Sequence, residues 1–330
     1  MTRATAVAHP NIALVKYWGK TDRELNLPAT GSLSLTLDIF PTTTTVEVTD
    51  DPLDRVVLDG VELSGEESAR VRTVLNRVRE LAGSGAHAHV TSTNTVPTAA
   101  GLASSAAAFA ALAKASSVAY GLSLSDAELS RLARRGSGSA CRSIFGGLAR
   151  WNKGTSDDTS IAEPLEWSGE PLSMVVAVIS SARKKIGSRA GMNHTVETSP
   201  YFEGWVSSNA VLLERASRAV HDADFTSLGE IAEMSALRMH ASMLGAEPPV
   251  RYLTGTSFAM IDAVQELREQ GIEAYASADA GPNVKILCRS REAALVAERL
   301  RERIEDVKMH VANAGPGAYL LDERERPSEA

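Results

Sequence analysis

The stretch over residues 97–120 constrains the fold of this chain more than any other part of the sequence. Residues 97–107 are small and include one glycine, and they continue into an alanine-rich segment over 108–120 that favours a helix. A glycine lets the backbone approach an anion, and the free N–H groups at a helix start attract negative charge. The alternative is a buried helix packed closely against a sheet. The hydroxyls of Ser104 and Ser105 favour a phosphate, because a packing helix does not need them.

This stretch differs from the two common phosphate-binding motifs. It matches neither G-x-x-x-x-G-K-[ST] nor G-x-G-x-x-G. The sequence therefore predicts neither an ordinary P-loop nor a dinucleotide fingerprint.

Composition narrows the class of protein. The 330 residues allow two domains, and 44% hydrophobic with 23% charged residues is typical of globular proteins. The absence of a long apolar run and of a basic-then-apolar leader predicts no membrane span, no secretory signal and a cytoplasmic location. Cys141 and Cys288 lack metal-ligand spacing and are expected to stay reduced. The net charge of −7 argues against nucleic acid, so local lysines and arginines would have to meet an anionic substrate.

The beginning of the chain predicts strands. Residues 7–15 alternate and are rich in β-formers, so we expect one strand that delivers Lys16, two aromatic residues, Gly19 and Lys20 to a turn. The alternative is that both lysines are simply solvated. Segments 32–38, 42–48 and 55–58 predict further strands of an antiparallel sheet.

Two helices and two loops are predicted next. Residues 66–82 have helical spacing, and their predicted apolar face consists of Val71, Val74, Leu75, Val78 and Leu81. A strand over 86–91 and a turn over 92–97 lead into the glycine stretch. Ser125 and Glu128 form a capping pattern for a helix that ends near Arg135.

The segment over residues 136–143 resembles a second anion-binding loop. Its small residues and hydroxyls can surround an anion, and the guanidinium of Arg142 can bind one bidentately. The alternative is a flexible linker, which would not need the arginine. A strand over 146–151 and a polar surface excursion over 155–171 are expected to follow.

The composition changes after the apolar run over 172–180, which predicts a buried strand. Four cations crowd residues 183–189, and helices are predicted over 201–221, 225–243 and 256–270. We expect a division into residues 1–185 and 186–330. The basic cluster is either a solvated face or part of an anion site, and its place beside the predicted cleft favours the second.

The last part of the chain predicts strands over 272–277 and 284–288, a helix over 292–304 and a return to strand over 306–321. Asp279 lies in the turn over 278–283, where a carboxylate is either a turn-former or catalytic. His194 and His240 lack metal-ligand spacing, so we expect structural roles for them.

Together these segments resemble the GHMP kinase superfamily. Its glycine and serine motif looks like residues 97–107, its N-terminal motif looks like residues 11–20, and its C-terminal turn looks like residues 279–283. Within it, residues 11–20, 136–143 and 279–283 are most similar to the diphosphomevalonate decarboxylase family. The resemblance covers nearly the whole chain. It implies an α+β, two-domain fold with antiparallel and mixed sheets covered by helices, and an active site in the cleft between domains.

The resemblance also implies a reaction. The family uses ATP and Mg²⁺ to convert mevalonate 5-diphosphate into isopentenyl diphosphate, carbon dioxide, ADP and phosphate, in the mevalonate pathway of isoprenoid biosynthesis. The C3 hydroxyl is first phosphorylated, and its loss with the carboxylate gives the alkene. The alternative is another GHMP kinase, for mevalonate or phosphomevalonate, without decarboxylation. A homodimer is implied as well.

Three residues match the family's catalytic positions. By resemblance Asp279 accepts or orients the C3 hydroxyl proton, Lys16 lies beside it, and Arg142 holds the substrate carboxylate. A nearby cation lowers the pKa of a carboxylate, so Asp279 should stay ionised at neutral pH. Which of Asp279 and Lys16 takes the proton is left open.

Other positions match the binding residues of the family. The substrate-binding set is Asn11, Ala13, Tyr17, Trp18, Gly19, Lys20, Arg70, Ser137, Gly138, Ser139, Ala140, Cys141, Arg142, Arg189, Met192 and Ala280. Lys20 and Arg189 are expected near the diphosphate. The ATP-binding set is Asn94, Pro97, Gly101, Leu102, Ala103, Ser104 and Ser105, with Ser105 also at the magnesium. The chain departs from many relatives at Thr30-Gly31, where they carry Asn-Ser.

Overall fold

The computed structural model describes residues 3–95, 104–180, 182 and 185–321. The strands are β1 (Arg3–Ala8), β2 (Asn11–Val15), β3 (Lys20–Asp22), β4 (Leu27–Pro28), β5 (Ser32–Thr36), β6 (Thr42–Thr49), β7 (Arg55–Leu58), β8 (Val61–Glu62), β9 (His87–Asn94), β10 (Leu148–Trp151), β11 (Ala162–Leu165), β12 (Leu172–Val178), β13 (Ala274–Ala278), β14 (Val284–Arg289), β15 (Lys308–Asn313) and β16 (Tyr319–Leu320). The helices are α1 (Gly65–Ala82), α2 (Ser104–Ala119), α3 (Asp126–Gly136), α4 (Ser188–Thr198), α5 (Phe202–His221), α6 (Phe225–Leu244), α7 (Gly255–Glu269) and α8 (Ala293–Arg303). Short 3-10 helices span Gly138–Ile144 and Ser290–Glu292. The predicted α+β class is confirmed.

The strands form three main sheets and one small hairpin. Their orders are β16-β1-β6-β9-β7-β8, β11-β10-β5-β2 and β13-β14-β12-β15, and β3 pairs with β4. The single antiparallel sheet predicted from segments 32–38, 42–48 and 55–58 is wrong, because β5 lies in a different sheet from β6 and β7. In addition, β7 pairs with β9 in parallel. Local alternation predicts a strand but does not reveal its partner.

The predicted strand over residues 7–15 is two strands in two sheets. It breaks at His9 and Pro10, where proline has no N–H to donate to a ladder. β1 pairs with β6, and β2 pairs with β5. The chain therefore crosses between sheets just before residues 16–20.

Helix α2 packs on the six-stranded sheet, and α1 and α3 pack against α2 and against each other. The alanines of α2 are buried, and they let the helix lie directly on β1 and β6. The predicted apolar face of α1 is buried at Val71, Val74, Leu75 and Val78. Leu81 is 40% exposed in the final turn of α1, so the predicted face is one residue too long.

Helices α5 and α6 fill the space between the other two sheets. Their apolar side chains form one core with β2, β5, β12 and β14. On the far side of the β13-β14-β12-β15 sheet, α7 and α8 form a second core. β12 pairs with β14 and β15, and β16 pairs with β1. The division at residue 185 stays a prediction.

Several elements were not predicted. Helix α4 begins at Ser188 within the basic segment, and its small polar residues lack an amphipathic pattern. The loop predicted over 136–143 contains the 3-10 helix Gly138–Ile144, and β9 continues to Asn94 through the predicted turn. The 3-10 helix is short, and tertiary contacts rather than propensity decide the conformation of such a segment.

Candidate active site

One cleft of about 440 Å³ collects most of the predicted site residues. Its lining residues are Asn11, Ala13, Lys16, Tyr17, Trp18, Lys20, Arg70, Ser105, Ser137, Gly138, Ser139, Arg142, Gly187, Ser188, Arg189, Met192, Met239, Asp279 and Ala280. They come from both halves of the chain. Sequence reasoning missed Gly187, Ser188 and Met239, whose residue types carry no chemical signal.

A buried ion pair lies in this cleft. Lys16 follows β2, Asp279 follows β13, and Lys16 Nζ lies 2.7 Å from Asp279 Oδ1. Lys16 Nζ also donates to the carbonyl of Ala13 at 2.6 Å. The Lys16 side chain is 1% exposed and that of Asp279 is 27% exposed. The Lys16 ammonium is therefore buried and fixed by the Ala13 carbonyl, while the Asp279 carboxylate faces the cleft.

A second lysine contacts the same carboxylate. Lys285 Nζ on β14 lies 3.4 Å from Asp279 Oδ2, so the two lysines lie against different oxygens. Burial alone would raise the pKa of Asp279, but Lys16 and Lys285 outweigh it and hold that pKa below its usual range. Burial first, and then Lys285 and Arg142, lower the pKa of Lys16, while Asp279 raises it, and the net shift is downward. Sequence reasoning missed Lys285, although a lysine inside the apolar strand β14 was a usable signal.

Arg142 is fixed by two neutral side chains. It lies on the 3-10 helix and is 2% exposed. Its Nη1 donates to Ser32 Oγ at 2.6 Å, and its Nη2 donates to Asn11 Oδ1 at 3.0 Å. The ring of Trp151 lies 5.9 Å from the guanidinium carbon. None of these contacts is a carboxylate, so none of them neutralises the charge of the guanidinium. That charge can therefore bind an anionic ligand.

The 3-10 segment is tied to β2. Asn11 Nδ2 donates to the carbonyl of Ser139 at 3.0 Å and to Ser143 Oγ at 2.8 Å. A Cβ at Gly138 would lie 2.7 Å from the Tyr17 hydroxyl oxygen, so a larger residue here would have to displace the Tyr17 side chain. The loop therefore lies directly on the residues that follow β2.

Aromatic rings form one wall of the cleft. The ring of Tyr17 packs on Trp151 at 4.8 Å, and Trp18 meets the ring of Tyr252 edge-on at 6.2 Å. The Tyr17 hydroxyl is buried and has no hydrogen-bond partner among the described residues. Burial raises the pKa of Tyr17, so its hydroxyl stays protonated at neutral pH.

Three predicted substrate-binding residues do not line the cleft. A Cβ at Gly19 would lie 2.4 Å from Phe202 Cζ, so this residue is required by packing as well as by its φ of +86°. Ala140 and Cys141 lie on the 3-10 segment itself and are fully buried. Burial raises the pKa of the Cys141 thiol to about 12.

One end of the cleft is basic. Lys20, Arg70 and Arg189 line it. Arg70 donates to the carbonyl of Gly136 from Nη2 at 2.9 Å and lies 4.6 Å from the ring centre of Phe109. Burial, and then repulsion from Arg189, Arg70 and Arg23, lowers the pKa of Lys20 to about 8. Clustered cations of this kind favour a polyanion.

A second pocket of about 220 Å³ lies next to Ser105. It is lined mostly by apolar residues of β7, β9, α1 and α2, and by Arg70, Asn94 and Ser105. Ser105 Oγ lies 3.3 Å from Ser137 Oγ, so this serine joins the apolar pocket to the polar cleft. The predicted ATP-binding residues Pro97, Gly101, Leu102 and Ala103 lie outside the described residues, as does the side chain of Ser104.

The described residues contain no group of three or more His, Cys, Asp or Glu side chains that could hold a metal ion. Mg²⁺ commonly takes one or two protein oxygens and completes its shell with phosphate oxygens and water. The Ser105 hydroxyl beside the cleft fits that requirement for a hard oxygen ligand. A magnesium bound with a nucleotide is therefore compatible with these residues.

The two histidines predicted to be structural differ in position. His194 Nε2 lies 2.8 Å from the carbonyl of Pro248, away from the cleft lining. His240 is 4% exposed, and burial first, then Lys16, lowers its pKa to about 4. His240 is therefore neutral beside the ion pair at neutral pH.

Comparisons with known proteins agree over most of the chain. Residues 8–162 match the family model of the diphosphomevalonate decarboxylase-like N-terminal domain, and residues 174–322 match that of the mevalonate 5-diphosphate decarboxylase C-terminal domain. The diphosphomevalonate decarboxylase of Candida albicans is 38% identical over 307 residues, or 87% of this chain and 84% of that protein.

Solved structures are similar as well. A mevalonate diphosphate decarboxylase from Staphylococcus aureus has a TM-score of 0.93 and 43% identity, with 97% of this chain and 98% of that chain covered. A structure described as MDDEF in complex with MVAPP, AMPPCP and magnesium has a TM-score of 0.92 and 46% identity, covering 97% of this chain and 99% of that chain. No helix in the described part of this chain has the length and apolar character of a membrane span.

Proposed function

This chain belongs to the diphosphomevalonate decarboxylase family, and we propose that the cleft around Lys16 and Asp279 is where it acts. The family predicted from the motifs is thereby confirmed. The enzyme uses ATP to convert mevalonate 5-diphosphate into isopentenyl diphosphate, carbon dioxide, ADP and phosphate.

One observation carries the assignment of the site. Among the described residues that line the cleft, Asp279 is the only carboxylate, and five cations line the same cleft: Lys16, Lys20, Arg70, Arg142 and Arg189. A substrate with a diphosphate and a carboxylate needs several cations, and phosphorylation of its hydroxyl needs one positioned acceptor. This set of charges meets both needs.

The first step is phosphorylation of the C3 hydroxyl. Asp279 is ionised, so its carboxylate accepts the hydroxyl proton while the C3 oxygen bonds to the γ-phosphorus of ATP and ADP leaves. The ion pair with Asp279 at 2.7 Å favours the protonated form of Lys16 through this step. The charge of Lys16 orients Asp279 and stabilises the negative charge on the transferred group.

The second step breaks two bonds. The C3–O bond breaks and phosphate leaves, while the electrons of the bond between C2 and the carboxyl carbon form the alkene and carbon dioxide leaves. Arg142 binds and orients the carboxylate, because Ser32 and Asn11 hold its two Nη groups. Its five N–H donors leave others for the ligand.

ATP binding is assigned to Ser105 and the pocket beside it. The mostly apolar 220 Å³ pocket is suited to the adenine, and the start of α2 is suited to the phosphates. Bound magnesium would neutralise phosphate charge, with the Ser105 hydroxyl as its protein ligand. The magnesium-containing complex of a similar protein supports this assignment.

Three further proposals concern the whole chain. We infer a homodimer in the cytoplasm, and two domains divided near residue 185, from the resemblance and the composition. Light scattering of the purified protein tests the dimer, and a monomeric mass would contradict it. No nucleic-acid partner is expected at a net charge of −7.

The reaction is tested with a substrate panel. The purified enzyme receives ATP and magnesium with mevalonate, its 5-phosphate or its 5-diphosphate, and carbon dioxide and ADP are both measured. We expect carbon dioxide from the 5-diphosphate alone, in equal amount to ADP. Release of ADP without carbon dioxide would contradict the decarboxylase. A chelator should abolish both products, and added magnesium should restore them.

A further inference from the structure

The ammonium group of Lys20 needs a hydrogen-bond partner to stay at the cleft. Lys20 lies on β3, and the cations Arg189, Arg70 and Arg23 all disfavour its charge. Lysine has a flexible four-carbon stem, so repulsion of this kind would turn its end group towards solvent. Instead, Lys20 Nζ donates a hydrogen bond to Asn26 Oδ1 at 2.5 Å.

Asn26 can accept this bond because its amide is fixed from the other side. Asn26 is 3% exposed and has a φ of +54°, a conformation that asparagine tolerates better than most residues. Its Nδ2 donates to the carbonyl of Arg134 at 3.0 Å and to that of Arg135 at 2.8 Å. Both amide hydrogens are used, so the oxygen has to face Lys20.

The two carbonyls belong to the last turn of α3, where carbonyls lack helical partners. The next carbonyl, of Gly136, accepts hydrogen bonds from Arg70. The chain then continues into Ser137 and Gly138, which line the cleft. Asn26 therefore links Lys20 to the same segment that carries the serine loop.

We propose that Asn26 is a positioning residue, which fixes the Lys20 ammonium at the basic end of the cleft so that it can bind the diphosphate of the substrate. The inference rests on the proposed function, in which Lys20 contacts that diphosphate. Asn26 itself touches no reacting atom and does not line the cleft. The competing role is purely structural, in which Asn26 caps α3 and its bond to Lys20 has no consequence.

A double-mutant cycle separates the two roles. Wild type, Asn26→Ala, Lys20→Ala and the double variant are compared by carbon dioxide release with varied mevalonate 5-diphosphate. We expect Asn26→Ala to raise KM roughly tenfold, the size typical of a hydrogen bond to a charged group, with kcat within about twofold. In the Lys20→Ala background the same substitution should change KM by less than about twofold, because its target is gone.

Two outcomes would contradict the positioning role of Asn26. An equal rise of KM in both backgrounds would overturn the positioning role and leave only the helix cap. A wild type that releases no carbon dioxide from the 5-diphosphate would overturn the proposed function, and this inference with it. Thermal unfolding of all four proteins shows whether they fold. If the Asn26→Ala variant does not fold, Asn26→Ser replaces it in the cycle, and KM is again compared between the two backgrounds.

Discussion

At the scale of single residues, the central feature is a carboxylate held by two buried lysines. Lys16 and Lys285 lie against different oxygens of Asp279, so they fix the orientation of the group as well as its charge. An isolated buried carboxylate would take up a proton. The lysines prevent this, which leaves Asp279 able to accept a proton at neutral pH.

Asp279→Asn removes the proton acceptor while keeping the shape of the side chain. We expect kcat to fall by at least roughly 100-fold, the usual effect of losing a general base. Binding of mevalonate 5-diphosphate should persist, because the cations remain. Rapid-quench kinetics and calorimetric titration measure the two quantities. Near-normal turnover would rule out this role for Asp279.

Lys285→Met removes one of the two cations that lower the pKa of Asp279. That pKa should rise towards its ordinary value, so the ionised form is lost at a higher pH than in the wild type. The acid limb of kcat/KM should therefore move to higher pH, as measured by carbon dioxide release across a pH series. An unmoved acid limb would show that Lys285 has no influence on Asp279.

Arg142→Lys keeps a charge but loses the planar fork. A lysine cannot contact Ser32, Asn11 and a substrate carboxylate together, so we expect kcat/KM to fall by roughly tenfold or more. Arg150→Lys is the matched control, because Arg150 pairs with Glu214 outside the cleft lining. Its kcat/KM should match the wild type. Equal values for both variants would refute the assignment of Arg142.

At the scale of elements, close packing holds the turn that carries Asp279. Gly229 of α6 lies against Tyr275 of β13, and a Cβ at Gly229 would lie 1.9 Å from Tyr275 Cδ2. The strand β13 ends at Ala278, the residue before Asp279. The separation of α6 from β13 therefore bears on the position of the carboxylate.

Gly229→Ala should force this helix and strand apart. We expect a loss of about 1–3 kcal/mol in the free energy of unfolding, as for other overpacked cores. Gly204→Ala on α5 is the control, since a Cβ there has nothing within 4 Å. Alanine at that site should stabilise by about 0.5–1 kcal/mol. Denaturant titration measures both variants, and equal stability would contradict the packing argument.

Sequence patterns predicted the longer elements better than the shorter ones. The apolar spacing of α1 and the capping pair of α3 marked real helices, because each reflects a local physical requirement. The hairpin of β3 and β4 and the helix α4 have no such pattern. Their conformation depends on contacts with distant parts of the chain.

At the scale of the whole molecule, the cleft exists only because distant parts of the chain meet. Lys16 and Asp279 are separated by 263 positions. Arg142 comes from the first half of the sequence, and Arg189 comes from the second. A ligand that contacts all four side chains ties these parts together, so binding should stabilise the entire fold.

Mevalonate 5-diphosphate should therefore raise the unfolding temperature without ATP. At 100 times its dissociation constant, a ligand that binds only the folded state adds roughly 2.7 kcal/mol to the free energy of unfolding. Differential scanning fluorimetry should show a rise with ligand concentration, and a smaller rise for Arg142→Lys at equal concentration. A temperature that does not respond to saturating substrate would contradict a site built from both halves.

The sequence by itself predicted the family and most of the residues that line the cleft. The motifs over 11–20, 136–143 and 279–283 carry residue types that the chemistry requires, and such requirements are visible without coordinates. The tertiary structure alone revealed Lys285 against Asp279, Ser32 against Arg142 and Asn26 against Lys20. It also divided residues 7–15 between two sheets. The Ser32 contact and the division between sheets depend on pairing between distant segments. Lys285 and Asn26 each lie six positions from their partner, across the β13–β14 and β3–β4 turns, and there the strand register sets the contact. No local pattern of side chains encodes such pairing or register.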